Sequence, residues 1–209
     1  MVAIVDYGVG NLFSLKSSLA AIGADVTVTS NKDELEKADQ IILPGVGAFE
    51  DAAKKLKDSG LDKTIKDLVN NGKPLMGICL GMQLLFDKSY EYGEHEGLGL
   101  IKGVVKPIKD DVSVEYKIPH IGWNPLKFKG VVSPIFKYIN DSDCVYFVHS
   151  FYAKECDNSV IATAEYGAEL TAAVASKNIF GCQFHPEKSG TVGLNILKAF
   201  VEIEEGDIC

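Results

Sequence analysis

The sequence predicts an α/β protein with a mixed, largely parallel central sheet and helices on both faces, and two observations carry that prediction. Short β-branched runs alternate with amphipathic stretches through the first half of the chain, a pattern that calls for right-handed crossovers and a parallel sheet covered on both sides. From about residue 100 one short apolar run follows another, so the sheet is expected to continue partly antiparallel. The 209 residues show no linker, internal repeat or low-complexity tract, and residues 1–209 read as a single domain with one sizeable core.

In chain order, VAIVD at 2–6 reads as a buried strand, residues 11–22 as a helix stopped by Gly23, and DVTVT at 25–29 as a second strand. Asn31 is placed to cap a short helix over 32–38, QIIL at 40–43 is a third strand, and 50–71 keeps helical periodicity broken at Gly60. PLMGI at 74–78 is a fourth strand and runs directly into Cys79, with a helix starting at Leu80. Residues 87–99, with the acidic run EYGEHEG, are expected to form an exposed loop. The strand-like runs GVVKPI, VSVEYKI, DCVYFVHS, SVIATAEY, LTAAVAS and IFGCQF follow, with a brief helix over 133–139. A last helix over 190–203 turns Val192, Ile196, Leu197 and Phe200 toward the sheet. In such sheets ligands gather at the carboxyl ends of the strands.

Composition excludes several classes of function. All 21 basic residues are lysine and 29 residues are acidic, for a net charge of −8; the acid excess disfavours nucleic acid and anionic membranes as partners. The missing arginine removes the planar fork that commonly grips carboxylates and phosphates. The five cysteines are scattered without a CxxC pair, which fits reduced thiols and a cytoplasmic protein. No window approaches the roughly 20 apolar residues of a membrane span.

The strongest chemical signal is Gly77-Ile78-Cys79-Leu80-Gly81 at a strand-to-helix junction. Glycines two before and two after a nucleophile let the chain turn sharply and lift the side chain above the sheet, while the helix start favours a thiolate. The bland alternative, a buried cysteine acting as a small hydrophobe, suffices for Cys144 and Cys182 inside apolar strands but leaves those glycines unexplained. His185 ends an apolar strand, and in His185-Pro186-Glu187 the imidazole and carboxylate are two apart and on one face. That pairing suits a base and its orienting acid; a weak solvated pair is the alternative. His95, in the acidic loop, reads as a surface residue. The segment Pro44-Gly45-Val46-Gly47 can aim backbone N–H groups at a ligand and share an oxyanion hole with the Leu80 amide, or it is a plain turn. GVGN at 8–11 is too short for a dinucleotide fingerprint. Trp123, alone of its kind in the Gly/Pro-rich PHIGWNP, reads equally as an interface anchor or a core aromatic.

These motifs resemble the class I (triad) glutamine amidotransferases, whose nucleophile elbow and His-Pro-Glu triplet correspond to GICLG and HPE. DYGVGN, LPGVGAF, GICLGMQLLF, PHIGWN, YFVHSF and FHPEKSG stand in that family's order over almost the whole chain, and DYGVGN, PHIGWN and HPEKSG favour the branch that forms the glutaminase subunits of imidazole glycerol phosphate synthase. The resemblance implies a flavodoxin-like class I fold, with glutamine as substrate and a γ-glutamyl thioester on Cys79. His185 would act as acid and then base, oriented by Glu187. It places the oxyanion on the amides of Val46 and Leu80, the former in a strand that in related enzymes can need a peptide flip, and glutamine against Gly47, Gln83, Ser150 and Phe151. Where the family often has Tyr this chain has Phe151, so a hydroxyl contact is not expected there. It further implies a heterodimer with a (β/α)₈-barrel cyclase that receives ammonia and makes imidazole glycerol phosphate and aminoimidazole carboxamide ribotide in histidine biosynthesis, with Asn11, Trp123 and Lys188 facing that partner. No metal and no cofactor are implied. An amidotransferase subunit serving another acceptor, a free-standing cysteine hydrolase and a noncatalytic subunit are the competing readings.

Overall fold

The computed structural model describes residues 1–203; Cys209 lies outside them. Eight strands form the central sheet, in the order β2 (Val26–Thr29), β1 (Val2–Val5), β3 (Gln40–Gly45), β4 (Leu75–Cys79), β14 (Ile179–Cys182), β13 (Glu169–Ser176), β12 (Val160–Glu165) and β9 (Lys127–Phe128). The run from β2 to β14 is parallel throughout, and β13, β12 and β9 extend it antiparallel. The mixed sheet expected from the switch in patterning is therefore present.

Alternation along each strand decides which core a side chain enters. On β1, Val2 and Ile4 face one side with Leu15 and Leu19 of α1 (Leu12–Ala21) and Ile196, Leu197 and Phe200 of α6 (Gly190–Val201). Ala3 and Val5 face the other, with Leu35 of α2 (Lys32–Lys37), Phe49 and Leu56 of α3 (Phe49–Ser59) and Ile65 of α4 (Leu61–Asn70). Each fully buried Leu, Ile or Phe of this kind contributes on the order of 1.5–3 kcal/mol, so the two-sided pattern is what holds helices on both faces. Asn31 does cap α2, accepting a bond from the Asp33 amide at 2.8 Å. Gly60, in the left-handed region at φ 74°, splits the expected long helix into α3 and α4.

Four expectations need correction. The run VSVEYKI forms no strand: Val114 is fully exposed, and Tyr116 instead packs its ring edge-on to Tyr166 and over Gly167. Alternation makes a strand only where a sheet edge accepts it, and Pro119, which follows, offers no N–H to a ladder. The acidic loop is not wholly loop, because β5 (Lys88–Ser89) and β6 (His95–Glu96) join β7 (Val104–Pro107) and β11 (Phe151–Lys154) in a small sheet. The brief helix near 133–139 shrinks to one 3₁₀ turn, Pro134–Phe136. Cys144 is exposed, since it opens β10 (Cys144–His149) and the apolar positions lie further along; Cys182 is fully buried as expected. A further pair, β10 with β8 (His120–Pro125), packs outside the central sheet.

The tightest approach is at the junction of β4 and α5 (Leu80–Gln83). A Cβ on Gly81 would lie 1.9 Å from the Leu43 carbonyl oxygen, and one on Gly77 would lie 2.7 Å from the Gly81 oxygen and the Met82 backbone. Gly81→Ala is therefore expected to destabilise the fold by about 3 kcal/mol through overpacking. Gly60→Ala, with open space but a left-handed backbone, should cost about 1 kcal/mol. Urea denaturation of the two variants checks the difference, and equal costs would contradict the close approach.

Candidate active site

Three neighbouring strands end together. Gly45 of β3 is in register with Cys79 of β4, and Ile78 with Cys182 of β14, so the PGVG segment, Cys79 and the Gln183-Phe184-His185 tail emerge side by side at the carboxyl edge of the sheet. Cys79 sits at φ 54° and ψ −112°, a conformation rarely adopted by a residue with a Cβ, between β4 and α5. Such strain costs on the order of 1–3 kcal/mol and persists only where the surroundings enforce it; here the glycine contacts just described do so. The Leu80 amide is the first N–H of α5 and has no carbonyl one turn earlier to bond.

His185 and Glu187 are paired at 2.8 Å between Nδ1 and Oε1, with side chains only 3% and 4% exposed. The solvated-pair alternative is thereby excluded. His185 itself is anchored: its N–H donates to the Tyr146 carbonyl at 3.0 Å, and the Ser189 hydroxyl donates to its carbonyl at 2.6 Å. Burial opposes charging of this imidazole, but hydrogen bonds with Cys79 and Glu187, and the negative charge of both, outweigh it and raise its pKa to about 9. By contrast, burial pushes the Cys156 thiol up to about 11 and the Cys182 thiol higher still, which keeps both unreactive.

A cavity of about 330 Å³ opens onto Cys79 and His185, and Val46, Gly47, Leu80, Gln83, Ser150, Phe151 and Lys188 line it. The predicted residues thus come together, with three exceptions, Glu187, Asn11 and Trp123. Glu187 lies behind His185, beside Asn11 in a narrow space of about 10 Å³. Trp123 stands apart on β8, 55% exposed and edge-on to Tyr146 at 5.9 Å between ring centroids, so it is not a core aromatic. Gln83 is buried, and its Nε2 donates to the Phe151 carbonyl and to Gln183 Oε1, each at 3.0 Å. Only its Oε1 is left to offer a ligand.

Other residues at the site were not singled out by sequence. Tyr7, from DYGVGN, donates its hydroxyl to the Pro44 carbonyl at 2.7 Å and so braces the PGVG segment; burial, then the charge on Cys79, raises its pKa and keeps it a phenol. Glu91 and Tyr92, from the supposedly exposed loop, line the cavity. Glu91 Oε2 accepts the Phe49 amide at 2.6 Å, and burial pushes its carboxyl pKa up. Only the motif signal around Tyr7 could have flagged any of these, because the loop has no local pattern that places it over the cavity. His95 is less exposed than expected: its Nε2 is buried, beside Gly93 in a separate concavity of about 410 Å³ that holds no nucleophile.

The model of the family described as glutamine amidotransferase class-I matches residues 3–203. This chain belongs to the class I glutamine amidotransferases. Among curated proteins it is similar to the imidazole glycerol phosphate synthase subunit HisH of Bacillus cereus strain B4264, 47% identical over 98% of this chain and 96% of that one. The protein of the same name from Bacillus thuringiensis strain Al Hakam is 46% identical over the same shares. Among solved structures, a glutamine amidotransferase superposes with a TM-score of 0.74 at 22% identity, covering 97% of this chain and 98% of that one. PurLQS from Thermotoga maritima gives 0.74 at 20%, covering 96% of each. At these identities the structures speak to the class I fold alone, and the mixed sheet agrees with it.

Glu187→Gln removes the carboxylate that helps hold the His185 pKa up. His185 carries its proton below about 9 and loses it above, so the alkaline limb of the activity profile is expected to move to lower pH in the variant, with turnover reduced about 10³–10⁴-fold. A pH profile of glutamine hydrolysis checks both, and an unmoved limb would contradict the pairing.

Proposed function

We propose that this chain is one glutaminase domain that hydrolyses glutamine to glutamate and ammonia and passes the ammonia to a synthase partner in histidine biosynthesis. The observation that carries the chemistry is the buried His185–Glu187 pair beside Cys79, with Cys79 and His185 both lining one cavity; the relatives named as subunits of imidazole glycerol phosphate synthase support the pathway.

In this reading the Cys79 thiolate attacks the γ-carboxamide carbon of glutamine, and the developing oxyanion is held by the amides of Leu80 and Val46. The imidazolium of His185 gives its proton to the departing nitrogen, which leaves as ammonia, and a γ-glutamyl thioester remains on Cys79. The now neutral His185 takes a proton from water, hydroxide adds to the thioester carbon, and glutamate departs as the thiolate returns. Glu187 keeps the His185 proton on Nδ1 and stabilises each imidazolium. Gly47, Gln83, Ser150 and Phe151 hold the amino-acid end of the substrate through backbone groups and the free Gln83 Oε1. Phe151 has no hydroxyl to add, and its ring instead meets Tyr92 edge-on at 6.0 Å.

The partner in this reading is a (β/α)₈-barrel cyclase forming a heterodimer, with Asn11, Trp123 and Lys188 at the contact. Supporting it, Asn11 and Lys188 are exposed beside the triad, and Ile121 and Trp123, two apart on β8, present 56% and 55% exposed apolar surface. Phe13, 82% exposed in the first turn of α1 next to Asn11, extends the same apolar character. Exposed large hydrophobics of this kind mark docking surfaces.

The test is glutamine-dependent formation of imidazole glycerol phosphate by this chain mixed with a barrel cyclase. Product is expected only with both chains present, and Cys79→Ala should abolish it while binding is retained; glutamine-dependent product in that variant would sink the triad assignment. Trp123→Ala should weaken the complex about tenfold or more, as expected of an aromatic anchor, measured by titration calorimetry, with alkylation of Cys79 by iodoacetamide in the isolated chain unchanged.

A further inference from the structure

From outside the cavity to its wall, where His149, Phe151 and Gln83 line it, runs a line of hydrogen bonds that the triad chemistry does not use. The Asn124 side chain on β8 is tied to the Glu165 carbonyl at 3.0 Å and stands 2.7 Å from His120 Nε2. His120 Nδ1 meets His149 Nε2 at 3.0 Å across the β8–β10 ladder, where the two residues are in register. His149 Nδ1 donates to the Phe151 carbonyl at 2.9 Å, the same oxygen that accepts from Gln83. Gln83 then bonds Gln183, whose Nε2 points at the Cys79 sulfur at 3.8 Å. Every link rests on a buried or half-buried side chain, and the line ends on the nucleophile.

Its centre is the Phe151 carbonyl. β11 is the edge strand of its sheet, and the Ile108 amide takes the neighbouring Ser150 carbonyl at 2.9 Å, which turns the Phe151 carbonyl outward, away from any ladder partner. His149 and Gln83 are the donors that replace the ladder. A carbonyl only accepts, so His149 must carry a proton on Nδ1, and burial keeps the imidazole neutral by driving its pKa down to about 3. Nε2 is then a bare lone pair 3.0 Å from His120 Nδ1; because Asn124 Oδ1 accepts from His120 Nε2, His120 satisfies both neighbours only with a proton on each ring nitrogen, which its burial opposes. His120 is held in place by stacking between Phe147, at 4.9 Å, and Tyr166, at 4.1 Å between ring centroids.

We propose that His149 is a positioning residue for glutamine, and that His120 acts through it: the pair fixes the Phe151 carbonyl, and through it the Gln83 and Gln183 amides that shape the pocket beside Cys79. The proposal rests on the reading of this cavity as the glutamine site. It names two residues that touch neither the reacting carbon nor the triad proton, so their loss acts on substrate binding more than on the chemical step.

The experiment uses this chain in complex with its cyclase and follows both steady-state turnover and inactivation by a chloromethyl ketone built on glutamine, with iodoacetamide as a small control reagent. His149→Phe keeps the ring and deletes the donor; it is expected to raise the glutamine KM about tenfold with kcat within about threefold, and to slow the glutamine-shaped reagent about tenfold while iodoacetamide reacts at the wild-type rate. His149→Asn, which returns a donor near the Nδ1 position, should restore KM to within about threefold of wild type. His120→Phe keeps the aromatic stack and should raise KM about threefold, and adding it to His149→Phe should cost nothing more, because both act through one bond. Unchanged KM and inactivation in His149→Phe, failure of His149→Asn to restore KM, or additive effects of the two Phe substitutions would overturn the proposal. If His149→Phe does not fold, judged by circular dichroism, His120→Phe carries the same test, and an unchanged KM there overturns it. A wild-type protein that the glutamine-shaped reagent labels no faster than iodoacetamide would instead remove the glutamine reading beneath it.

Discussion

Everything at the site depends on how closely α5 is drawn against β3. The turn at Cys79 stands because Gly81 has no side chain to strike the Leu43 carbonyl and Gly45 has none to strike the Gly81 amide, where a Cβ would come within 2.7 Å. That close approach forces Cys79 into its strained backbone, aims its sulfur out of the sheet, and sets the Leu80 amide beside the PGVG segment. Tyr7 completes the arrangement from the next strand by holding the Pro44 carbonyl. Two hydrophobic cores, one on each face, supply the rigidity that such strain requires.

The electrostatics follow from burial. A chain with 21 lysines and no arginine has no fork to place around a carboxylate, and the charged or titratable side chains lining its pocket are Cys79, Glu91, Tyr92, His149, His185 and one lysine, Lys188. Inside, charge is confined to a small group. His185 is held protonated by neighbours that are themselves sheltered from water, whereas His149, equally buried but facing a carbonyl, is held neutral. The same side chain is thus held protonated at one position and neutral at another, according to what its ring nitrogens meet.

The site also ties distant parts of the chain together. β8 turns Ile121 and Trp123 outward and His120 and Asn124 inward, so one short strand carries an exposed apolar face and the start of a buried polar line that reaches Cys79. A partner settling on the outer face would press on a strand whose inner face, through His120, meets His149 in the wall of the pocket.

Much of this was legible in the sequence because it is local. Period-two runs marked the parallel strands, glycines at fixed offsets marked the turn at Cys79, and His185 with Glu187 needed only the geometry of one strand end to be paired. The order of family motifs added the cavity residues Gly47, Gln83, Ser150 and Phe151. What the sequence could not supply were contacts between segments far apart in the chain. VSVEYKI alternates like a strand but finds no edge, Cys144 sits in an apolar run but at its open end, and Glu91 and Tyr92 belong to a polar loop that only the small sheet carries over the pocket. The His120–His149 line likewise exists only once β8 and β10 pair in register. Local pattern determines what an element is, since backbone geometry repeats every few residues; which neighbour it meets is decided by the packing of the whole chain, and that packing turned a cysteine, a histidine and a glutamate into one site.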